Sequence, residues 1–577
     1  MSIDRVLPGL QSLLHYDKRD LKSDIAAGLT VGVMLIPQGM AYAMIAGLDP
    51  IYGLYAATIP ILLYAFFGTS RQLAVGPVAM VSLLTASGVA VLAEAGSETY
   101  IGYVLLLAFM VGLIQLLMGV FRLGFLVNFL SHPVISGFTS AAAIIIGASQ
   151  LKHLLGIPLP KSHYVHEIFI SAFQQIGNIH WQTFLLGLGG IALILIIKRI
   201  SRSIPGQIIA VIMSILVVSV FNLDMQGVKI VGDVPQGLPS FQMPILDLGS
   251  LNSLLPIALA ISLVSYMESI AVAKAMQTRH KNYKLSPNQE LVALGIANIG
   301  GAFFQSYPVT GGFSRTAVND QAGAKTTLAS IISAVLVLLT LLFLTDLFYK
   351  MPNAILAAVI IVAVIGLIDV KEAIHLWHTH RIDFWMLIAT FLATLMLGIE
   401  KGILIGVALS LVMVIFQSSY PHHAELGQVP GTDFYRNVNR FPEVKVRRDI
   451  LILRFDASLF FGNSQRFRDA LNEYIDQKGT SLRAIVLNCE SINTIDSTAL
   501  KMLEEILENA EKLNISLFFS SVKGPIRDRL LHSPVFQGLS KDHFFMSIQE
   551  AVKYFDDQKA GNSLSHSHQS YVLQTNK

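Results

Sequence analysis

The chain has 577 residues, of which 53% are hydrophobic and 14% are charged. A soluble domain carries about a quarter charged residues, so this composition excludes an ordinary soluble protein and indicates a membrane protein. The net charge of +3 gives no indication of a nucleic-acid partner, and the single cysteine, Cys489, excludes both an intrachain disulfide and a cysteine metal site.

The first part of the chain is dominated by apolar runs. Residues 1–22 are polar, so no cleavable signal peptide is expected. A membrane span takes roughly 20 apolar residues, and reading for such runs predicts about fourteen segments. The continuous ones are 104–120, 135–148, 184–197, 208–220, 254–275, 328–344, 354–367, 384–397 and 403–416. Those interrupted by glycine or proline are 25–46, 51–67, 75–92, 291–304 and 311–323.

Basic residues give the predicted orientation. If the segments alternate, most of the lysines and arginines between them fall on one side. By the positive-inside rule that side is the cytoplasm, and an even number of spans places both termini there. The residues that carry this bias include Lys18, Arg19, Lys22, Arg71, Arg122, Lys198, Arg199, Arg279 and Lys284.

Two of the broken segments occupy matching places, third in each half of the membrane part. The first contains VGP at 75–77 and the second contains TGGFSR at 310–315. Such a pair indicates an inverted repeat with a binding site at its centre, although membrane helices also tolerate Gly and Pro without any function. Helix N-termini offer free amides and about half a positive charge, so two half-helices meeting there predict a small-anion site. Pro77 is predicted in the first turn of its helix, and Gly311 and Gly312 allow close backbone approach.

Glu268 lies inside the predicted segment 254–275. An intramembrane carboxylate costs a few kcal/mol to insert and is therefore a functional candidate. Arg315, next to Ser314, is its natural partner. The alternative is a structural ion pair of Glu268 with Arg315 or Lys274 near the membrane surface.

After residue 416 the pattern changes from membrane to soluble. Residues 417–440 are predicted to be a polar connector, and an α/β domain follows. Its predicted strands are 450–454, 484–487 and 516–520, and its predicted helices are 465–476, 498–512, 524–531 and 548–555. The predicted limits are 1–420 for the membrane domain and 436–560 for the soluble domain. The Ser-, Gln- and His-rich residues 561–577 are predicted to be disordered.

Two further motifs have an ordinary interpretation. His375, His378 and His380 have metal-like spacing but no supporting carboxylate or cysteine, so a solvated loop is expected and no metal site. Asp496 and Ser497 precede a predicted helix, where either side chain is suited to cap the free amides. The run at 496–498 resembles the phosphorylation loop of anti-sigma factor antagonists, which implies Thr498 as the phosphate acceptor, but the cap is the favoured interpretation.

Three blocks in the first membrane segments resemble the SulP family of sulfate permeases and related anion transporters. They are IPQGMAYA at 36–43, PIYGLYAA at 50–57 with GTSR at 68–71, and VGPVA at 75–79. The soluble part, with DSTAL at 496–500 opening a helix, resembles a STAS domain, the cytoplasmic module that this family carries. The resemblance covers roughly residues 10–560.

The resemblance implies a mostly helical membrane fold in a seven-plus-seven inverted repeat, followed by the α/β STAS domain. Segments 1–4 and 8–11 would form a core domain and segments 5–7 and 12–14 a gate domain, in a homodimer that works by an elevator-like movement. It places the substrate at Gln38, Tyr42, Val78, Gly312, Phe313 and Ser314. Glu268 and Arg315 take a coupling role, in which Glu268 accepts a proton and Arg315 supplies positive potential. For Gln38 and Tyr42 the alternative is ordinary helix packing.

The expected function is therefore that of a secondary active anion transporter in the inner (plasma) membrane, importing sulfate with protons. It is not expected to be an enzyme or to need a cofactor. The alternative is bicarbonate uptake with sodium, because Glu268 with the hydroxyls of Ser265 and Ser269 is able to hold Na⁺ as well as H⁺. An anion channel or a STAS-linked signalling protein is a further alternative.

Overall fold

The computed structural model describes residues 7–125, 131–159, 165–200, 206–244, 247–281, 283–537 and 543–560. Its contacts divide the chain into two compact units, Met1–Leu411 and Val412–Lys577. The predicted disordered tail, 561–577, lies outside the described residues.

The N-terminal unit consists almost entirely of helices. The elements of its first half are α1 (Pro8–Leu14), α2 (Leu21–Ile45), α3 (Pro50–Tyr55), α4 (Ile59–Phe67), β1 (Val75–Gly76), α5 (Ala79–Val89), α6 (Glu98–Val120), α7 (His132–Ser149), α8 (Leu151–Leu155), α9 (Val165–Gln174), α10 (Trp181–Ile200) and α11 (Gly206–Phe221). Those of its second half are α12 (Leu248–His280), α13 (Pro287–Phe303), β2 (Thr310–Gly311), α14 (Phe313–Gln321), α15 (Leu328–Phe343), α16 (Asn353–Ile365), α17 (Val370–Thr379), α18 (Arg381–Leu397) and α19 (Ile399–Ser419).

These helices form a membrane fold, as predicted. Among the described residues, 7 helical stretches are long and apolar enough to cross a membrane, and further apolar helices such as Ala79–Val89 and Leu328–Phe343 are shorter. The two broken segments of the sequence appear as two short helices, α5 with 11 residues and α14 with 9. Both are too short to span a bilayer alone, because each residue of an α-helix adds only about 1.5 Å.

A two-stranded antiparallel sheet joins the two halves of this unit. Val75 pairs with Gly311, and Gly76 pairs with Thr310. Each strand leads directly into one of the half-helices, β1 into α5 and β2 into α14. The two segments that correspond in the sequence are therefore in direct contact in the structure, through these two residue pairs.

The glycines of the first motifs explain how α2 is placed beside α3. A Cβ atom on Gly53 would lie 1.9 Å from the carbonyl oxygen of Gly39, a distance that no side chain tolerates. The backbones of the two helices therefore touch at this point. This contact fixes the stretch of α2 that carries Gln38 and Tyr42.

The C-terminal unit is an α/β domain built on a six-stranded sheet. Its strands are β3 (His423–Gln428), β4 (Tyr435–Asn437), β5 (Ile450–Phe455), β6 (Ala484–Asn488), β7 (Ser516–Ser520) and β8 (Phe544–Phe545), and its helices are α20 (Ser464–Lys478), α21 (Ser497–Lys512), α22 (Gly524–His532), α23 (Pro534–Gln537) and α24 (Ile548–Lys559). The order across the sheet is β4-β3-β5-β6-β7-β8, with β5 to β8 parallel. Both faces are covered, which is why β5 and β6 are almost wholly apolar.

The prediction of a plain connector at 417–440 was wrong. Residues in this stretch form β3 and β4, and β3 pairs antiparallel with β5. Ala424 and Leu426 are buried in the sheet, while Glu425 forms an ion pair of 2.5 Å with Lys478. The polar residues between them hide the strand from a search for apolar runs.

The predicted helix cap is confirmed, whereas the predicted histidine loop is wrong. The Asp496 carboxylate accepts hydrogen bonds of 2.8 Å from the backbone N–H of Ala499 and of 2.8 Å from that of Phe461. His375 and His378 lie on helix α17 rather than in a loop. No cluster of three metal-ligating side chains occurs among the described residues.

The C-terminal unit is expected to fold when it is expressed alone, provided that β3 is included. A fragment of residues 420–560 should unfold cooperatively in urea. A fragment of residues 440–560 should lose about 3 kcal/mol of unfolding free energy, because it lacks Leu426 and the ion pair of Glu425. Circular dichroism of both fragments checks this result. Equal stability of the two fragments, or a flat melt of the longer one, would contradict it.

Candidate functional site

A cavity of about 690 Å³ lies inside the N-terminal unit. Every site residue predicted from the sequence lines it. These residues are Gln38, Tyr42, Val78, Glu268, Gly312, Phe313, Ser314 and Arg315. The structure thus brings together side chains that come from α2, α12 and the starts of the two half-helices.

The N-termini of both half-helices are open at this cavity. Helix α5 begins after Val78 and α14 begins after Gly312, and in neither case does a side chain cap the first turn. Pro77 does not occupy the first turn of α5, as the sequence suggested, but precedes Val78. Its role is instead to offer a carbonyl oxygen, because the backbone at this point is extended.

Arg315 lies between the two half-helices and is almost completely buried, with 1% of its surface exposed. Its Nη1 donates a hydrogen bond of 2.5 Å to the carbonyl oxygen of Pro77. The Nε and Nη2 groups have no hydrogen-bond partner among the described residues. An unpaired buried donor on a charged group is costly, so this guanidinium is arranged to receive an acceptor.

Gly312 leaves the space in which the guanidinium lies. A Cβ atom at this position would be 3.0 Å from both Cζ and Nη2 of Arg315 and 3.3 Å from a methyl carbon of Val78. Any side chain there would press on the end of Arg315. The glycine is therefore required by the close approach of these two side chains rather than by its backbone angles.

Glu268 lines the cavity from α12 without a salt-bridge partner. The described residues contain no ion pair within 4.0 Å between Glu268 and either Arg315 or Lys274. Its Oε2 atom and the Oε1 atom of Gln38 are buried without a hydrogen bond to any described residue. The structure therefore does not contain the structural ion pair that was the alternative interpretation of Glu268.

The hydroxyls next to Glu268 in the sequence are occupied elsewhere. Ser265 Oγ accepts a hydrogen bond of 2.7 Å from Gln115, and Ser269 Oγ accepts one of 2.8 Å from the backbone of Gly311. Neither serine lines the cavity. Ser269 instead supports the β2 strand, together with Thr310 at 2.7 Å.

Two buried carboxylates that the sequence analysis overlooked hold the flanks of this site. Glu290 accepts hydrogen bonds from Tyr64 Oη (2.6 Å), from Thr69 N (2.7 Å) and Oγ1 (2.5 Å), and from Ser70 N (3.2 Å). Asp24 likewise anchors the stretch after α14: its carboxylate accepts hydrogen bonds from the backbone N–H of Lys325 and from the backbone N–H and the hydroxyl of Thr326. Only their place near the start of an apolar segment distinguishes them in the sequence.

Glu290→Ala is expected to destabilise the protein strongly. The substitution leaves the amides of Thr69 and Ser70 and the hydroxyl of Tyr64 without their acceptor, at about 1 kcal/mol or more each. We expect a loss of about 3 kcal/mol and a clearly lower melting temperature in detergent. Glu98→Ala is the matched control, because Glu98 also lies in the first turn of a membrane helix but is exposed. Equal melting temperatures of the two variants would contradict the anchoring role.

Comparison with known proteins gives consistent results. The sequence pattern of the sulfate permease family matches residues 21–390, and that of the STAS domain matches residues 441–551. Probable sulfate transporter 4.2 of Arabidopsis thaliana is 39% identical over 549 residues, which cover 92% of this chain and 80% of that protein. A probable sulfate transporter of Mycobacterium tuberculosis is 34% identical over 548 residues, covering 95% and 98%.

Solved structures show the same architecture. A structure of SLC26A9 superposes with a TM-score of 0.89 at 25% identity, covering 97% of this chain and 94% of that one. The transmembrane domain of a cyanobacterium bicarbonate transporter, BicA, superposes with a TM-score of 0.60 at 23% identity, covering 68% of this chain and 98% of that one. At this identity the second match speaks for the fold alone.

Proposed function

The chain belongs to the sulfate permease family of membrane anion transporters, and from this premise we propose that it takes up sulfate together with protons by secondary active transport. The names of its relatives favour sulfate as the anion. The observation that carries the proposal is the buried guanidinium of Arg315, which keeps two unpaired donors between two uncapped half-helices at the wall of a cavity.

The proposed binding mode uses backbone and guanidinium donors together. A small oxyanion at the start of α5 and α14 would accept hydrogen bonds from the first-turn amides and from Nε and Nη2 of Arg315. Its negative charge would meet one full cation and two partial helix charges. Gln38, Tyr42 and Ser314 line the same space and add polar contacts.

Proton coupling is proposed for Glu268. Its carboxylate lines the cavity and has no ion-pair partner among the described residues, so it is able to take up or release a proton as the anion comes and goes. A sodium site would need further oxygen ligands beside the carboxylate, because a hard cation is held by several oxygens. The hydroxyls of Ser265 and Ser269 are engaged with Gln115, Gly311 and Thr310, which favours a proton over sodium.

The distribution of polar groups around the cavity supports an elevator-like movement. The donors and Glu268 come from α2, α5, α12 and α14. Helices α7, α10 and α16 contribute mostly apolar residues, such as Phe138, Ile194 and Val362, and His132, Thr139 and Lys198 are their polar members. The polar wall would carry the anion past the apolar wall, which acts as a fixed barrier. We place this transporter in the inner (plasma) membrane as a homodimer with both termini in the cytoplasm.

Uptake of radiolabelled sulfate and bicarbonate into proteoliposomes tests the proposal. A pH gradient and a sodium gradient are imposed separately. Accumulation of sulfate above its external concentration with the pH gradient alone is the expected result. If bicarbonate uptake depends on the sodium gradient and not on the pH gradient, the protein is a sodium-coupled bicarbonate transporter instead. If the anion moves only down its own gradient, the protein is a channel.

A further inference from the structure

The cavity carries a second positive charge that the binding mode above does not use. Lys198, in the last turn of α10, lines the cavity together with Gln207, at the start of α11. Lys198 is exposed and forms no ion pair with any described residue. Among the lining residues Glu268 is the one carboxylate, and it comes from α12 rather than from α10 or α11.

Lys198 and Gln207 are brought together by a close helix contact. A Cβ atom on Gly206 would lie 3.3 Å from the Cβ of Ile197 and 3.4 Å from the carbonyl oxygen of Ile194. The start of α11 thus packs against the last turn of α10. The amide of Gln207, like the ammonium of Lys198, has no hydrogen bond to another described residue.

His132 also lines this part of the cavity, from the start of α7. Its ring lies 3.3 Å from a carboxylate oxygen of Glu372, so this acidic group already has a partner. The other residues that α7, α10 and α11 contribute to the lining carry no charge. An ammonium group and an amide are therefore presented to the cavity, and no carboxylate of the described residues forms an ion pair with the ammonium.

We propose that Lys198 and Gln207 form an outer binding site for an oxyanion, which captures the substrate before it reaches Arg315. This inference rests on the proposed function. A lone cation at a low-dielectric wall focuses the electrostatic field and raises the local concentration of anions. The site lies on the apolar wall, so the anion must leave it when the polar wall takes the anion over. Lys198 therefore acts on capture and not on the passage across the membrane.

Initial rates of sulfate uptake into proteoliposomes test this site in the full-length protein. We expect Lys198→Gln to raise KM about tenfold at low ionic strength with kcat unchanged. The difference should shrink at 0.15 M salt, where the Debye length is about 8 Å. Lys198→Arg should retain the KM of the parent. Arg199→Gln is the matched control, because Arg199 is the exposed neighbour of Lys198 but does not line the cavity.

The outcomes separate the two proposals. If the parent takes up sulfate and Lys198→Gln has the same KM, the outer site is overturned and the transport function stands. The outer site is also overturned, and the transport function stands, if Arg199→Gln shifts KM as much as Lys198→Gln does, or if Lys198→Gln lowers kcat without changing KM. If the parent takes up no sulfate at all, both proposals fail. A raised KM in Lys198→Gln together with a KM like that of the parent in Lys198→Arg excludes a folding defect and supports the site.

Discussion

Gly312→Leu is expected to reduce sulfate uptake about a hundredfold or more while the protein remains folded. A Cβ atom added at Gly312 would already lie 3.0 Å from the guanidinium of Arg315, so a leucine must push this group out of its place. The loss of two charge-assisted hydrogen bonds to the anion costs about 3 kcal/mol, which corresponds to the hundredfold effect. The displaced atoms belong to the end of a flexible side chain, so the fold should survive. Sulfate binding and uptake by the reconstituted variant check this expectation.

Gly189→Leu is the matched control for this experiment. Gly189 lies on α10, where a Cβ atom would meet no other atom within 4 Å. Its variant introduces the same side chain into a membrane helix away from the cavity and should transport normally. Normal uptake by Gly312→Leu would show that the anion binds elsewhere, and a comparable loss in both variants would point to a general defect of folding.

Glu268→Gln is expected to separate anion exchange from accumulation. Glutamine resembles the permanently protonated carboxyl group, so the cavity keeps its shape and its hydrogen-bonding capacity. Exchange of labelled for unlabelled sulfate should therefore continue. Accumulation driven by a pH gradient should disappear, because a ligand shifts only an equilibrium between states that bind it unequally. Counterflow and gradient-driven uptake, measured on the same proteoliposomes, give both quantities.

Glu98→Gln provides the control for the charge change. Glu98 is exposed at the start of α6 and does not line the cavity, so its variant should keep both activities. Full gradient-driven uptake by Glu268→Gln would refute the coupling role. If uptake by the parent follows sodium and not pH, the same variant should lose its sodium dependence, and the alternative function would take over.

The sequence was sufficient to predict two kinds of contact: those between corresponding segments of the two halves, and those between residues that are close in the chain. The broken helices at VGP and TGGFSR were recognised because they occupy corresponding places, and their pairing through Val75 and Gly311 follows from that symmetry. The cap at Asp496 was predictable because its partner, Ala499, is only three residues away. Local chemistry and repeat symmetry are both visible in a linear sequence.

The remaining contacts depend on long-range packing. The acceptor of Arg315 is a backbone carbonyl 238 residues away, and backbone atoms leave no signal in the sequence. Glu290 was overlooked because its partners, Tyr64 and Thr69, belong to another segment. In the sequence, Lys198 only contributes to the positive-inside prediction of orientation. The three-dimensional structure is needed to see that it lines the cavity. Side-chain surroundings of this kind require three-dimensional coordinates.

The two-residue ladder between β1 and β2 also shows that the charge of this site is asymmetric. Its register relates Val75 to Thr310 and Gly76 to Gly311 as equivalent positions, so the counterpart of Arg315 in the first half is Met80. A second buried guanidinium at this spacing would repel the first. Because both halves belong to one polypeptide, the second half can carry the cation while the first half carries an uncharged side chain. The site therefore combines a nearly symmetric backbone with an asymmetric charge.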